Sequence, residues 1–336
     1  MPKKMITEAL RQGDWDTALE KAAQWAESPE AGPCPFFALN VLYLLQGAFG
    51  KAWQVHAKCL QESQDILVVS EWIKEIQSHY PEESHICLIE GLFLAQSGQS
   101  EQSVACYEKA AACNPQSPYP HFFLAQIHRR MGRTDQGIKS YREAVKRDPG
   151  YVAARLNLGV AYQEQGQLEM AIMQYREILK AHPEEVLAHS NLACALNEQG
   201  KMEAAIEEYK TSLQLAPEDA ELHFALGGVY ETKGRREWAK REYERALQLD
   251  PDFTPAATGL GWFLFEKGQV DTALDYFSRV LKINPNDADA TFGVGRVYQE
   301  KRKPELAAEH YQKAFELEKD PQQKTKILNF IDKGLH

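Results

Sequence analysis

Apolar positions along this chain fall in pairs of helical stripes. In residues 152–185, VAARLNLGVAYQEQGQLEMAIMQYREILKAHPEE, Leu158 and Tyr162 make one stripe and Ala171 and Tyr175 another, with Gly166 between them and Pro183 after them. The i, i+4 spacing predicts two helices joined by a short turn. These landmarks return every 34 residues, most plainly as prolines at 115, 149, 183, 217, 251 and 285. Units of helix, turn and helix therefore start at 84, 118, 152, 186, 220, 254 and 288. Gly98, Gly132, Gly166, Gly200, Gly234 and Gly268 sit where each first helix must end, because a left-handed cap costs glycine nothing. The last unit has Arg302 at that place, then Lys303 and Pro304. Small residues such as Gly91, Gly227, Gly261 and Gly295 on first helices, and Ala171, Ala205 and Ala273 on second helices, mark expected close approaches. Tyr107, Tyr141, Tyr175, Tyr209, Tyr243, Phe277 and Tyr311 follow the second-helix small residues by four positions and are expected to fill the space between helices.

Outside the regular stretch the pattern loosens. Residues 1–83 read as degenerate repeat-like helices, with His56 in place of an aromatic. The second unit starts at 33 and the next clear one at 84, a gap that leaves room for one extra helix near 66–79. That odd helix predicts a hinge or break in the stacking near 61–83. Residues 84–321 form seven regular units, and 322–336, with Ile327, Phe330 and Ile331, read as a C-terminal capping helix.

These landmarks resemble the tetratricopeptide repeat, a helix-turn-helix unit of the same period. The resemblance covers residues 84–321 closely and 5–62 loosely. It implies an all-α fold, a right-handed superhelical solenoid of antiparallel helix pairs, with first helices lining a concave groove. Family geometry then puts Phe122, Arg129 and Arg130 on the groove of one unit, Asn157, Glu164, Asn191 and Asn197 on the next two, and Phe224, Trp262, Phe265 and Phe292 further on. Asn157 and Asn191 form a short ladder suited to the backbone of an extended peptide, since an amide both donates and accepts. The lysine and asparagine clamp by which some family members hold a chaperone tail's terminal carboxylate is not met, because Ala153 and Leu187 stand where a lysine is wanted.

Composition narrows the function further. Hydrophobic residues make up 44% and charged residues 26%, ordinary for a soluble protein, and no run reaches the roughly 20 apolar residues of a membrane span, so no membrane insertion is expected. The N-terminus lacks the apolar core of a secretory signal, so the expected location is cytoplasmic. A formal charge of −10 argues against nucleic acid as a partner. Charge nevertheless shifts along the chain, from seven basic and two acidic residues in 128–147 to seven acidic and two basic in 198–221, which could set the register of a partner. Six cysteines without a C-x-x-C pair read as packed, reduced thiols, and His121, His189 and His223, one per layer, as packing histidines and not metal ligands. Catalytic signatures are missing, so no catalytic residue, metal or cofactor is expected. The expected function is a non-enzymatic scaffold or adaptor that holds a protein or peptide segment in its groove, with Trp262 as the main anchor. The alternatives are a regulatory or targeting subunit of a multiprotein enzyme complex, and a scaffold that self-associates through stacked ends.

Overall fold

A computed structural model describes residues 15–26 and 84–334, together with residues 5, 6 and 9. The expected hinge at 61–83 and extra helix at 66–79 lie outside the described residues. Among the described residues all sixteen elements are α-helices. The chain divides into two compact units, one ending at Tyr162 and one beginning at Gln163. The first holds α1 (Trp15–Ala26), α2 (Ser84–Gln96), α3 (Ser100–Cys113), α4 (Tyr119–Arg130), α5 (Thr134–Arg147) and most of α6 (Val152–Glu164). The second holds α7 (Leu168–Ala181), α8 (Val186–Glu198), α9 (Met202–Leu215), α10 (Ala220–Thr232) and α11 (Arg236–Leu249). It continues through α12 (Thr254–Glu266), α13 (Val270–Ile283), α14 (Ala288–Glu300), α15 (Pro304–Leu317) and α16 (Pro321–Gly334).

Both kinds of turn follow from local chemistry. At the end of α4, Gly132 adopts φ 74°, its N–H bonds the Arg129 carbonyl at 2.9 Å, and the Arg133 N–H reaches back to His128 at 2.8 Å. That arrangement satisfies carbonyls the helix end would otherwise orphan, and it needs a left-handed residue. Arg302 fills the same role at φ 55°, the one non-glycine with positive φ among the described residues. Left-handed geometry costs an L-residue about 1–2 kcal/mol. Arg302→Gly should therefore stabilise the C-terminal helices by about 0.5–1 kcal/mol after glycine's extra chain entropy is discounted. A rise in their urea midpoint is the expected result; a fall would show that the Arg302 side chain contributes more than the strain costs. Second helices end because the residue before each proline is pushed out of helical geometry, as in Asp148 (φ −132°, ψ 95°) and Asp250 (φ −128°, ψ 97°).

Buried aromatic rings anchor the core of each unit, and several are seated against glycines. In the second unit Tyr243 packs on Gly227 and Gly259, and Phe277 on Gly261 and Gly293; a Cβ at Gly261 would stand 2.6 Å from the Phe277 ring. Glycine at these sites lets successive helices close on the ring of the neighbouring pair. Three tyrosines hold their hydroxyls in one register: Tyr175 donates to Gln163 Oε1 at 3.3 Å, Tyr243 to Glu231 Oε2 at 2.7 Å and Tyr311 to Gln299 Oε1 at 2.7 Å. In the first unit Tyr107, 1% exposed, packs with Leu88, Val104 and Leu124. The far end closes on α16, where Ile327 is buried with Ala307, Tyr311 and Ala314, and Phe330 and Ile331 pack beside them.

Polar pairs set the spacing of layers. In the second unit the residue that caps each first helix reaches the first turn of the preceding second helix: Gln199 to Glu169 at 2.9 Å, Lys233 to Glu203, Lys267 to Glu237 at 2.8 Å and Lys301 to Asp271. Those acids also face the positive end of their own helices. Exposed pairs of this kind are each worth less than about 1 kcal/mol, so their regularity matters more than their strength.

Candidate partner-binding face

The register of the repeat decides where each expected groove residue points. Arg129, Gln163, Asn197, Glu231, Phe265 and Gln299 are equivalent, each one repeat from the next. At Gln163, Glu231 and Gln299 this register meets the tyrosine of its own second helix. It is therefore a seam between paired helices. Arg129 conforms: its Cγ would stand 2.9 Å from a Cβ placed on Gly137 of α5. Asn197 conforms too, with its Oδ1 buried. Asn157 and Asn191 share a register with Phe123, Gly259 and Gly293, and those three lie against Tyr107, Tyr243 and Phe277 of the preceding pair. The Asn157 amide donates to the Ala153 carbonyl of its own helix at 2.8 Å. This register faces a neighbouring helix, and both asparagines are half-buried in it.

Phe122 is also a packing residue. It is 6% exposed, with ring centroids 5.9 Å from Tyr141 and 5.1 Å from Tyr151. Phe224 is half-buried against Tyr243 and Phe253. Glu164 and Arg130 are exposed, and Arg130 donates to the Ala95 carbonyl at 2.8 Å. Much of the basic stretch is engaged internally, with Arg133 on Glu101 and Arg147 on Glu143, both at 2.5 Å.

Trp262, Phe265 and Phe292 do come together. The half-buried Trp262 ring lies 6.0 Å from Phe265, 5.8 Å from Phe292 and 5.1 Å from the buried Phe277. Its indole N–H donates to both Asp289 oxygens, at 3.2 and 3.1 Å. Trp262 shares its register with Gly228, Arg296 and Phe330. A Cβ on Gly228 would meet no atom within 4 Å, so there is open space in that register one unit before Trp262. Arg296 stacks on two rings, its guanidinium carbon 5.1 Å from the Phe265 centroid and 4.5 Å from Phe330. A cleft of about 640 Å³ opens between α14 and α16, bounded by Asp289, Phe292, Arg296, Glu318, Lys326 and Phe330.

Asp289 is crowded by surrounding protein, which raises its carboxyl above the ordinary aspartate pKa; the indole hydrogen bond opposes this, and the charges of Asp287, Glu318 and Glu231 add to it. The residue nevertheless remains open to water. Asp289, Arg296 and Phe330 were not among the residues expected on this face. The signal was available: the repeat register continues past the seventh unit and puts Phe330 where Trp262 and Arg296 stand.

Two of the aligned histidines pair with carboxylates of the neighbouring helix. His189 Nδ1 lies 2.7 Å from Glu208 and His223 Nδ1 2.7 Å from Glu242, with Nε2 facing Pro183 and Pro217 carbonyls. Among the described residues no group of three His, Cys, Asp or Glu side chains is arranged for a metal ion, and no helix is long and apolar enough to cross a membrane. His121, His128 and His310 each bury a ring nitrogen without a hydrogen-bond partner. Burial lowers all three below the usual histidine pKa; Arg147 and Arg133 assist at His121 and His128, while Glu309 opposes and Lys313 assists at His310. The unfolded chain therefore binds protons first, below its pKa of about 6.5, and this contribution to stability is present above that pH and lost as pH falls toward the folded values. Melting temperature should drop between about pH 7.5 and pH 5.5, and His310→Asn should shallow the drop. An unchanged slope in the variant would assign the acid sensitivity to carboxylates instead.

Family comparisons agree with this geometry. A model described as TPR repeat matches residues 194–234, and models described as tetratricopeptide repeat match 90–151, 123–186 and 264–323 in one case and 234–291 in another. Nothing among curated proteins matches the chain significantly. Among solved structures, a tetratricopeptide repeat protein from Parabacteroides merdae aligns at TM-score 0.61 and 16% identity, over 74% of this chain and 98% of its own. Yeast Tom70 aligns at 0.59 and 11%, over 99% and 94%. PilF from Pseudomonas aeruginosa aligns at 0.53 and 20%, over 65% and 96%. At these identities the likeness concerns the fold, which in general is a scaffold for contacts with other proteins. With matches over residues 90–186 and 194–323 and helix pairs of the same design throughout the second unit, the chain belongs to the tetratricopeptide repeat family.

Proposed function

We propose that this protein is a non-enzymatic scaffold that binds a segment of a partner protein on the first-helix face of its C-terminal repeats. The observation that carries the reading is the half-exposed row of Trp262, Arg296 and Phe330, with open space at Gly228 before it and the α14/α16 cleft beside it. Aromatic and arginine side chains at the edge of a pocket are the usual energetic anchors of an interface. Sequestered surface elsewhere supports the same choice, since Phe122 is buried and the Asn157 amide is engaged by its own helix. A cytoplasmic setting suits the thiols of Cys87, Cys106, Cys113 and Cys194, which are all unpaired.

The test is a quantitative comparison of wild type, Trp262→Ala and Phe122→Ala against any partner retained by the full chain. Partner binding should fall with Trp262→Ala and persist with Phe122→Ala once both are shown folded. Equal loss in both variants, or in neither, would remove this face from the reading.

A further inference from the structure

The cleft between α14 and α16 carries opposite charges at its two ends. Asp289 and Arg296 stand on one face of α14, seven residues apart, which is two turns or about 10 Å along the axis. Phe292 lies between them on the same face, and Phe330 stands opposite on α16. Glu318 adds a second carboxylate near Asp289.

Among the described residues Arg296 is held in the cleft by two rings and not by an ion pair. Both faces of its guanidinium are taken, by Phe265 and Phe330, and stacking leaves the N–H edge unused. Among the described residues no carboxylate or carbonyl accepts from that edge. A planar guanidinium held in place by two rings, half-buried and short of an acceptor, is a preorganised receptor for a carboxylate. At the other end the Asp289 carboxylate accepts only the indole N–H and sits in the field of Asp287, Glu318 and Glu231. A cation there would relieve both the crowding and the repulsion.

Resting on the scaffold reading above, we propose that this cleft recognises a partner segment of mixed charge: an Asp or Glu side chain on Arg296, a Lys or Arg side chain at Asp289 and Glu318, and an apolar residue between them on Phe292 and Phe330. A polyproline II segment rises about 3.1 Å per residue with about three residues per turn, so side chains three residues apart share a face about 9 Å from one another, and the charges in the partner take that spacing. This differs from capture of a chain-terminal carboxylate, because an internal segment satisfies both ends.

The experiment uses the full chain and three capped, fluorescein-labelled peptides that share a Leu-Leu centre and differ in the flanking pair: Lys and Asp, Lys and Lys, or Asp and Asp. Fluorescence anisotropy should show the mixed peptide binding wild type at least about tenfold tighter than either other peptide. Arg296→Glu should lose the mixed peptide and gain the dibasic one; Asp289→Lys should lose the mixed peptide and gain the diacidic one. A merely structural role for either residue would produce loss without the gain. Circular dichroism melts establish that the variants fold, and Arg296→Gln with Asp289→Asn, predicted to lose the preference altogether, serve if the reversals do not. Equal affinity of wild type for all three peptides, no binding at about 1 mM, or variants that keep the wild-type ranking would overturn the proposal. If a partner binds through Trp262 yet ignores Arg296→Glu and Asp289→Lys, the cleft assignment fails while the scaffold stands. If Trp262→Ala leaves partner binding intact, the scaffold face itself is wrong.

Discussion

Phe277→Ala should cost about 3–5 kcal/mol, the range for removing a fully buried aromatic ring from a core that cannot collapse around the gap. Phe277 is fully buried. Its ring fills the space between Gly261 of α12 and Gly293 of α14, and those glycines have no side chain with which to refill it. Ala257, Val280, Ala290, Val294 and Val297 complete the surrounding cluster. Because each repeat contacts only its neighbours, the damage should stay local. Amide hydrogen exchange is expected to lose protection across α12–α15 first, while α8 and α9 keep theirs. A single cooperative transition with uniform loss of protection would show that the repeats of this unit do not unfold piecewise. Phe277→Tyr is the sharper companion. Where this register holds tyrosine at 175, 243 and 311, the residue twelve before it is Gln163, Glu231 or Gln299; before Phe277 it is Phe265. A new hydroxyl would be buried without that acceptor, at about 1–3 kcal/mol.

Trp262→Ala should weaken partner binding by about 2 kcal/mol or more, as for an aromatic anchor at the centre of an interface. The variant also removes the indole hydrogen bonds to Asp289 and the contact with Phe277, so a stability cost accompanies it. The two effects separate in a titration carried out well below the melting transition, where a folded Trp262→Ala still shows the loss of affinity. Trp262→Phe keeps part of the apolar surface and should recover part of the binding. Recovery to wild type by phenylalanine would mean that the indole N–H and its hold on Asp289 contribute nothing to recognition.

The all-α repeat fold was legible because its signals are local and recur: a glycine where φ must be positive, a proline where a helix must stop, a ring four positions after a small residue. Which face a side chain serves was less legible. Arg129 and Asn197 read as groove residues, yet their register is the one that meets the tyrosine of the paired helix. Asn157 and Asn191 read as a polar ladder, yet theirs is the register that approaches the preceding ring. Polar residue type does not separate the two uses, because in this repeat Gln163, Glu231 and Gln299 accept from the tyrosine of the paired helix. Trp262, Phe265 and Phe292 cluster, but the Arg296 stack and the cleft depend on α16, whose part in that face a count of complete units does not reveal.

The pairs between Gln199 and Glu169, Lys233 and Glu203, Lys267 and Glu237, and Lys301 and Asp271 bear on how such a chain can change length. In these four joints of the second unit the acid lies behind and the donor ahead, so the joints are alike. Excision of residues 220–253 would remove Lys233 and Glu237 together and set Lys267 opposite Glu203, at the cost of the Arg236 partner of Glu266. Duplication of the same stretch would add one more joint of the same kind. Genetic gain or loss of whole repeats within the second unit is thereby buffered at these joints, and the cleft at its far end need not be rebuilt.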